Sequence, residues 1–134
     1  FLAIPASAQN NFATSTNVDV SFGNEVVDRG SNFSGSTFTA PVTGLYQLQA
    51  NLYMTNLDSA ANYYEMYLVT SNRTYYDLIV PNQFNGDLAY WNLQISVLAD
   101  MDASDTAYIR IQQSAGTAQT DINTPSFFSG YLVA

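Results

Sequence analysis

Hydrophobic and polar residues alternate along much of the chain, most regularly from Tyr46 to Met54. Every second residue of that stretch is apolar, and most of the residues between them are Gln or Asn. A period of two residues is typical of a β-strand with one buried face and one face open to solvent or to a partner. The apolar row consists of Tyr46, Leu48, Ala50, Leu52 and Met54.

Similar strand-like runs recur at short intervals and are separated by segments rich in Gly, Pro, Asn, Asp and Ser. No segment combines a long helical period with helix caps. This pattern predicts an all-β sandwich or barrel. The predicted strands are Leu2–Ala6, Val18–Phe22, Ser36–Thr39, Leu45–Thr55, Tyr63–Thr70, Tyr75–Val80, Tyr90–Ala99, Thr106–Gln113 and Phe127–Val133.

Two of these strands allow more detailed predictions. The strand Tyr63–Thr70 carries large apolar side chains on both faces. A strand of this kind is covered on both faces, and in a two-layer sandwich the second cover is most simply another subunit. In the strand Tyr90–Ala99, Trp91 falls in the apolar register, so we expect it in the core.

Composition narrows the range of functions. The chain has 134 residues, which predicts one domain, 1–134, able to bury its own core. It has no Cys and no His, and its net charge is -8 with only three basic residues. Disulfides and thiol chemistry are therefore excluded, and nucleic acid and anionic membranes are poor partners. Without His, Cys or a phosphate-binding loop, we do not expect an enzyme.

Three stretches of the sequence resemble one known family. They are "FTAPVTGLY" at 38–46, "LADMDASDTAYIRI" at 98–111 and "FFSGYLVA" at 127–134. Together they resemble the globular head domain of the C1q family, the complement-type relatives of the tumour necrosis factor fold. Within the second stretch, Asp105 matches the structural Asp of the family's turn. The resemblance extends over most of the chain.

The resemblance implies a jelly-roll β-sandwich of about ten strands that assembles as a homotrimer. Such heads often end a fibrous stalk, bind proteins or glycans and are not enzymes. We therefore expect the C-terminal head of a longer fibrous protein on a cell or virion surface. The lack of Cys and the Asn, Ser and Thr content favour a bacterial surface fibre or a phage tail fibre. The residues expected in the core or at the trimer seam are Phe38, Tyr46, Phe128, Gly130 and Tyr131.

The turn that contains Asp100, Asp102 and Asp105 is a candidate calcium site, because Ca²⁺ is bound by several oxygen ligands. The alternative is a solvated turn in which Asp105 bonds the local backbone. We also expect Gly44, which follows a Pro-containing turn, to adopt a backbone angle that other residues resist.

Aromatic doublets beside polar residues are candidates for glycan recognition, since only one member of each doublet can face outward from a strand. The same aromatic side chains could instead line a subunit interface. Asn, Gln and Asp residues near them would supply hydrogen bonds to a sugar. The candidate ligand-binding residues are Tyr63, Tyr75, Asp77, Asn85 and Tyr90.

The leading functional hypothesis is a trimeric head that joins a fibre and recognises a cell-surface glycan or protein. One alternative is a structural cap that trimerises the fibre and binds nothing. Another is a monomeric carbohydrate-binding module appended to an enzyme. Neither insertion into a membrane nor a cofactor other than calcium is expected from the sequence.

Overall fold

A computed structural model describes all residues 1–134 and contains twelve β-strands and one three-residue 3-10 turn, Pro81–Gln83. None of its helical segments has the length and apolarity needed to cross a membrane. The strands are β1 Leu2–Ile4, β2 Val18–Asp19, β3 Asn24–Val27, β4 Phe33–Ser34, β5 Thr37–Thr39, β6 Gly44–Leu57, β7 Tyr63–Thr70, β8 Thr74–Ile79, β9 Leu88–Met101, β10 Thr106–Ser114, β11 Asp121–Ile122 and β12 Phe127–Leu132.

The strands form two antiparallel sheets of six strands each. Sheet A runs in the order β9, β6, β12, β1 and β3, with β11 beside the end of β6 next to β12. Sheet B runs in the order β4, β5, β10, β7 and β8, with β2 also paired to β10. The two sheets enclose one hydrophobic core. The all-β prediction is confirmed.

All nine predicted strands are present, and three short strands were missed. The missed strands are β3, β4 and β11, which have only four, two and two residues. They lie in segments so rich in Asn, Gly, Ser and Thr that their composition predicts turns. Period two cannot be detected in two residues, so these strands depend on pairing with distant partners.

The inner face of sheet A follows the predicted alternation. Tyr46, Leu48 and Leu52 of β6 are almost fully buried, and β9 pairs with β6 along nearly its whole length. The alternation slips near the end of β6, where Asn56 adopts a left-handed backbone with φ 58°. The slip moves the next inward position from residue 56 to Leu57, which is fully buried.

The strand β7 is fully buried on one face and only partly buried on the other. Its inner row is fully buried, whereas Tyr63, Tyr67 and Val69 on its outer face are half-buried. Neighbouring side chains of sheet B provide part of that cover, because the Tyr67 ring lies edge-on to Tyr76 at 5.5 Å and its hydroxyl donates to Gln112 Oε1 at 3.2 Å. A second subunit is therefore not required to explain the outer face of β7.

Candidate functional site

The motif at 38–46 builds a turn that is fixed from inside the core. Phe38 is buried and lies 5.5 Å from the Tyr46 ring, edge to face. The Tyr46 hydroxyl donates to the Val42 carbonyl at 2.6 Å and accepts the Val42 N–H at 3.4 Å. The turn between Pro41 and Gly44 is thus held by one buried phenol.

Gly44 is required for space and not for its backbone angle. Its φ is not positive, so that expectation was wrong. A Cβ at this position would lie 2.7 Å from the Ala134 carbonyl oxygen and 2.9 Å from Leu132 Cδ1. The backbone after β12 packs directly on Gly44, which leaves no room for a side chain.

The last strand divides its aromatic residues between the two faces of sheet A. Phe128 is fully buried and lies 5.0 Å from the Phe1 ring, edge to face. A Cβ at Gly130 would lie 2.6 Å from Leu48 Cδ2 and 2.8 Å from Phe1 Cε1, which explains why glycine stands there. Tyr131 is different, because 63% of it is exposed on the outer face. It is therefore not a core residue.

The outer face of sheet A is almost free of charge. Along β1, β6, β9, β11 and β12, charged side chains point outward only at the two ends, where Asp100 and Asp121 lie. Asn51, near the middle, is 8% exposed and its Oδ1 has no hydrogen-bond partner. The uncharged outward residues are Leu2, Ile4, Leu45, Gln47, Gln49, Asn51, Tyr53, Thr55, Tyr90, Asn92, Gln94, Ser96, Leu98, Phe127, Ser129 and Tyr131.

The three carboxylates of the predicted calcium site do not converge. No group of three or more acidic side chains in the structure could hold a metal ion. Asp100 forms an ion pair with Arg73 at 3.2 Å, and Asp105 Oδ2 accepts the backbone N–H of Asp102 at 2.8 Å. The alternative, a solvated turn organised by Asp105, describes this segment.

The five predicted ligand residues do not form one site. Tyr63, Asn85 and Tyr90 belong to the end of the sandwich where β7 and β9 begin. Tyr75 lies toward the opposite end, on the inner side of β8, where it packs against the core and burial raises the pKa of its phenol. The exposed member of that doublet is Tyr76, so the choice of Tyr75 as a surface residue was wrong.

Asp77 has a structural role that the sequence did not reveal. Its Oδ2 accepts the backbone N–H of Gln94 at 2.9 Å, and its Oδ1 accepts the N–H of Leu78 at 3.0 Å. Since β8 is the last strand of sheet B and β9 the last of sheet A, this carboxylate joins the two sheets along one side.

An exposed aromatic group lies where β9 begins. Tyr90 is 66% exposed and its ring lies 5.9 Å from that of Tyr53. Trp91 is 36% exposed and lies 5.9 Å from Phe84, so its assignment to the core was wrong. Trp91 is in the inward register, opposite Met54, but β9 is an edge strand and the burial of an edge position is incomplete. A shallow depression of about 340 Å³ is lined by Tyr53, Tyr90, Trp91 and Asn92.

Next to this group is a polar cleft of about 510 Å³, here called the end cleft. Asp87 accepts hydrogen bonds from the Ser59 N–H at 2.9 Å, the Ser59 hydroxyl at 3.0 Å and Gln119 Nε2 at 3.0 Å. These bonds lower the pKa of Asp87, which is fully exposed. The residues that line the end cleft are Asn11, Asn56, Asp87, Leu88, Ala89 and Gln119.

Sequence reasoning missed the end cleft because four distant segments build it. One signal was available, namely the slip in alternation before Leu57, which marks Asn56 as an irregular position. Asn11 also has a left-handed backbone, with φ 48°, and its N–H donates to Asp121 Oδ1 at 2.8 Å. Asn tolerates this conformation better than most residues, so an Asn at the end of a strand is a weak clue.

Comparisons with known proteins agree with this geometry. The family model of the C1q domain matches residues 3–133. Among solved structures, the globular domain of the zebrafish complement 1qA protein superposes with a TM-score of 0.69 and 15% sequence identity, covering 100% of this chain and 96% of that one. A search of curated proteins finds no significant match. The sandwich described above is therefore a C1q-like jelly roll.

Proposed function

Because the chain belongs to the C1q domain family, we propose that it is a non-enzymatic head that trimerises a longer extracellular protein and recognises a ligand. C1q domains are generally non-enzymatic, trimerising, ligand-recognising heads of extracellular or secreted proteins. We assign trimerisation to the part of the outer face of sheet A that consists of β1, β12 and the outward residues of 45–51 in β6 and 94–98 in β9. Tyr53 and Tyr90 lie beyond this part, at the end of the sheet, and stay outside the proposed seam.

The observation that carries the proposal is the absence of charge across that face. Protein interfaces are depleted in charged residues at their centre and enriched in Tyr and Phe. The chain has a net charge of -8, yet none of the twelve outward positions of this proposed seam is charged. Phe127 and Tyr131 add aromatic area to the face. A surface that stays exposed to solvent usually has about 25–35% charged residues.

The ligand that we propose is a glycan, as the sequence predicts. Exposed tyrosines beside uncharged amides support this choice. A position at the C-terminal end of a fibre, and a phage or bacterial surface setting, stay predictions from the sequence.

Light scattering on a sizing column tests the assembly directly. We expect a mass near three times 14.7 kDa that is unchanged by dilution and by a calcium chelator. A monomer at high concentration would contradict the proposal and favour an appended carbohydrate-binding module. A trimer that binds no ligand in a screen of glycans and cell surfaces would favour the structural cap.

A further inference from the structure

We propose that the end cleft, together with the exposed Tyr90 and the half-buried Tyr53 beside it, binds an uncharged sugar ring. This inference rests on the proposed function, because it names the site and the class of the ligand. It does not depend on any of the three arginines.

The two depressions adjoin. Leu88 and Ala89 line the end cleft, and the next residues of β9, beginning with Tyr90, line the aromatic depression. Across the ladder, Tyr90 pairs with Thr55, which directly precedes Asn56 of the cleft. A ligand lying over Tyr90 would therefore reach the polar groups of the cleft.

The polar groups of the end cleft are held in place by hydrogen bonds within the chain. Gln119 Nε2 donates both to Asp87 Oδ2 at 3.0 Å and to the Asn56 carbonyl at 3.2 Å, so one amide joins two sides of the cleft. A site whose groups are fixed before binding loses less conformational entropy when the ligand arrives.

The two depressions offer a ligand two different kinds of contact. The cleft offers carboxylate and amide acceptors and amide donors, which match the hydroxyl groups of a sugar. Tyr53 and Tyr90 offer apolar ring surface, which matches the C–H face of a pyranose. Hydroxyl groups on one side and C–H groups on the other describe a carbohydrate better than a peptide or a lipid.

The charge around the two depressions is acidic. None of the three arginines lines either depression, because Arg73 pairs with Asp100, Arg110 pairs with Asp19, and Arg29 lies beside another pocket. Asp87 and the nearby Asp121 would repel sialic acid, uronic acids and sulfated sugars. The Asp87 oxygens already accept three hydrogen bonds within the chain, so the carboxylate is stabilised without a cationic ligand.

A glycan array followed by isothermal titration tests the inference on the purified trimer. The array contains unsubstituted glucan, galactan and mannan fragments, their sialylated or sulfated counterparts, and the cationic polymer chitosan. We expect binding to at least one neutral fragment, with loss of binding in its acidic counterpart. Preference for acidic or cationic glycans, or no binding to any glycan, would overturn the inference.

Two variants locate the site. Tyr90→Ala and Asp87→Asn are each expected to weaken the neutral ligand by about tenfold or more, the effect of losing a ring contact or a charge-assisted hydrogen bond. Tyr76→Ala, at an equally exposed tyrosine of sheet B, is the control and should leave affinity unchanged.

Unchanged affinity in both site variants would overturn the inference. A Tyr90→Ala protein that becomes monomeric would also overturn it, since Tyr90 would then belong to the seam. The mass of wild-type protein reports on the proposed function separately.

Discussion

The outer faces of the two sheets share one strand pattern but differ in where charge is placed. In sheet B, Arg110 forms an ion pair with Asp19 at 2.9 Å in the middle of the face, and Glu65 lies opposite Gln112 nearby. In sheet A the corresponding area holds only uncharged residues, and acidic side chains appear at its ends. Both faces contain tyrosines, so aromatic content alone does not separate them.

The difference in charge bears on which face the proposed trimer buries. A lone charge on a face that becomes buried costs several kcal/mol, whereas a paired charge on a solvated face costs little. Sheet B therefore has the composition of a solvated surface, and the uncharged centre of sheet A supports the proposal that copies of the chain cover it.

A matched pair of substitutions tests whether the two outer faces differ in their tolerance of charge. Gln49→Lys places a charge at the centre of sheet A, and Gln112→Lys places the same charge on sheet B, opposite Glu65. We expect Gln49→Lys to dissociate the trimer, because several kcal/mol of desolvation and like-charge repulsion are repeated in every subunit. Gln112→Lys should leave the mass unchanged.

Light scattering gives the masses, and circular dichroism confirms that both variants are folded. A trimeric Gln49→Lys protein would show that the outer face of sheet A is not the seam. Dissociation by both substitutions would point to a general effect of charge and would remove the contrast between the faces.

Gly130 is buried at an inward position of β12, next to Leu48 and Phe1. In Gly130→Val, the new side chain must displace Leu48 and Phe1, and such overpacking costs about 1–3 kcal/mol. We expect a lower free energy of unfolding in urea, measured at matched subunit concentration. The control is Gly86→Val, where nothing lies within 4 Å of the added Cβ. Equal stability of the two variants would contradict the packing described for β12.

The sequence predicted the long strands well because their inward rows are uninterrupted. In β6, β7 and β10 every second residue is buried over most of the strand, so the period is visible without knowledge of the partner. The motifs around Tyr46 and Phe128 also predicted buried aromatic residues correctly.

The wrong predictions lie where the alternation of residues does not by itself fix the environment of a side chain. In β8 both Tyr75 and Tyr76 are aromatic, so composition could not decide which one faces the core. Trp91 was misplaced because the register of a residue does not reveal that its strand is at an edge. The end cleft could not be predicted because Asn11, Asp87 and Gln119 meet only through the fold.

The ionisation of Tyr67, on the outer face of sheet B, should give the weakest of these effects. Burial, and then the charge of Glu65, raise the pKa of Tyr67 to about 12. Because this folded-state pKa is above the ordinary value of about 10, the contribution of Tyr67 to stability is complete below pH 10 and is lost as the pH rises from about 10 through 12. Absorbance of phenolate followed against pH should show one fewer late-ionising tyrosine in Tyr67→Phe.

If Gln49→Lys and wild-type protein give the same late step, Tyr67 is not shielded by the seam, as a solvated face of sheet B requires. A late step that disappears on dissociation would instead place β7 against another subunit.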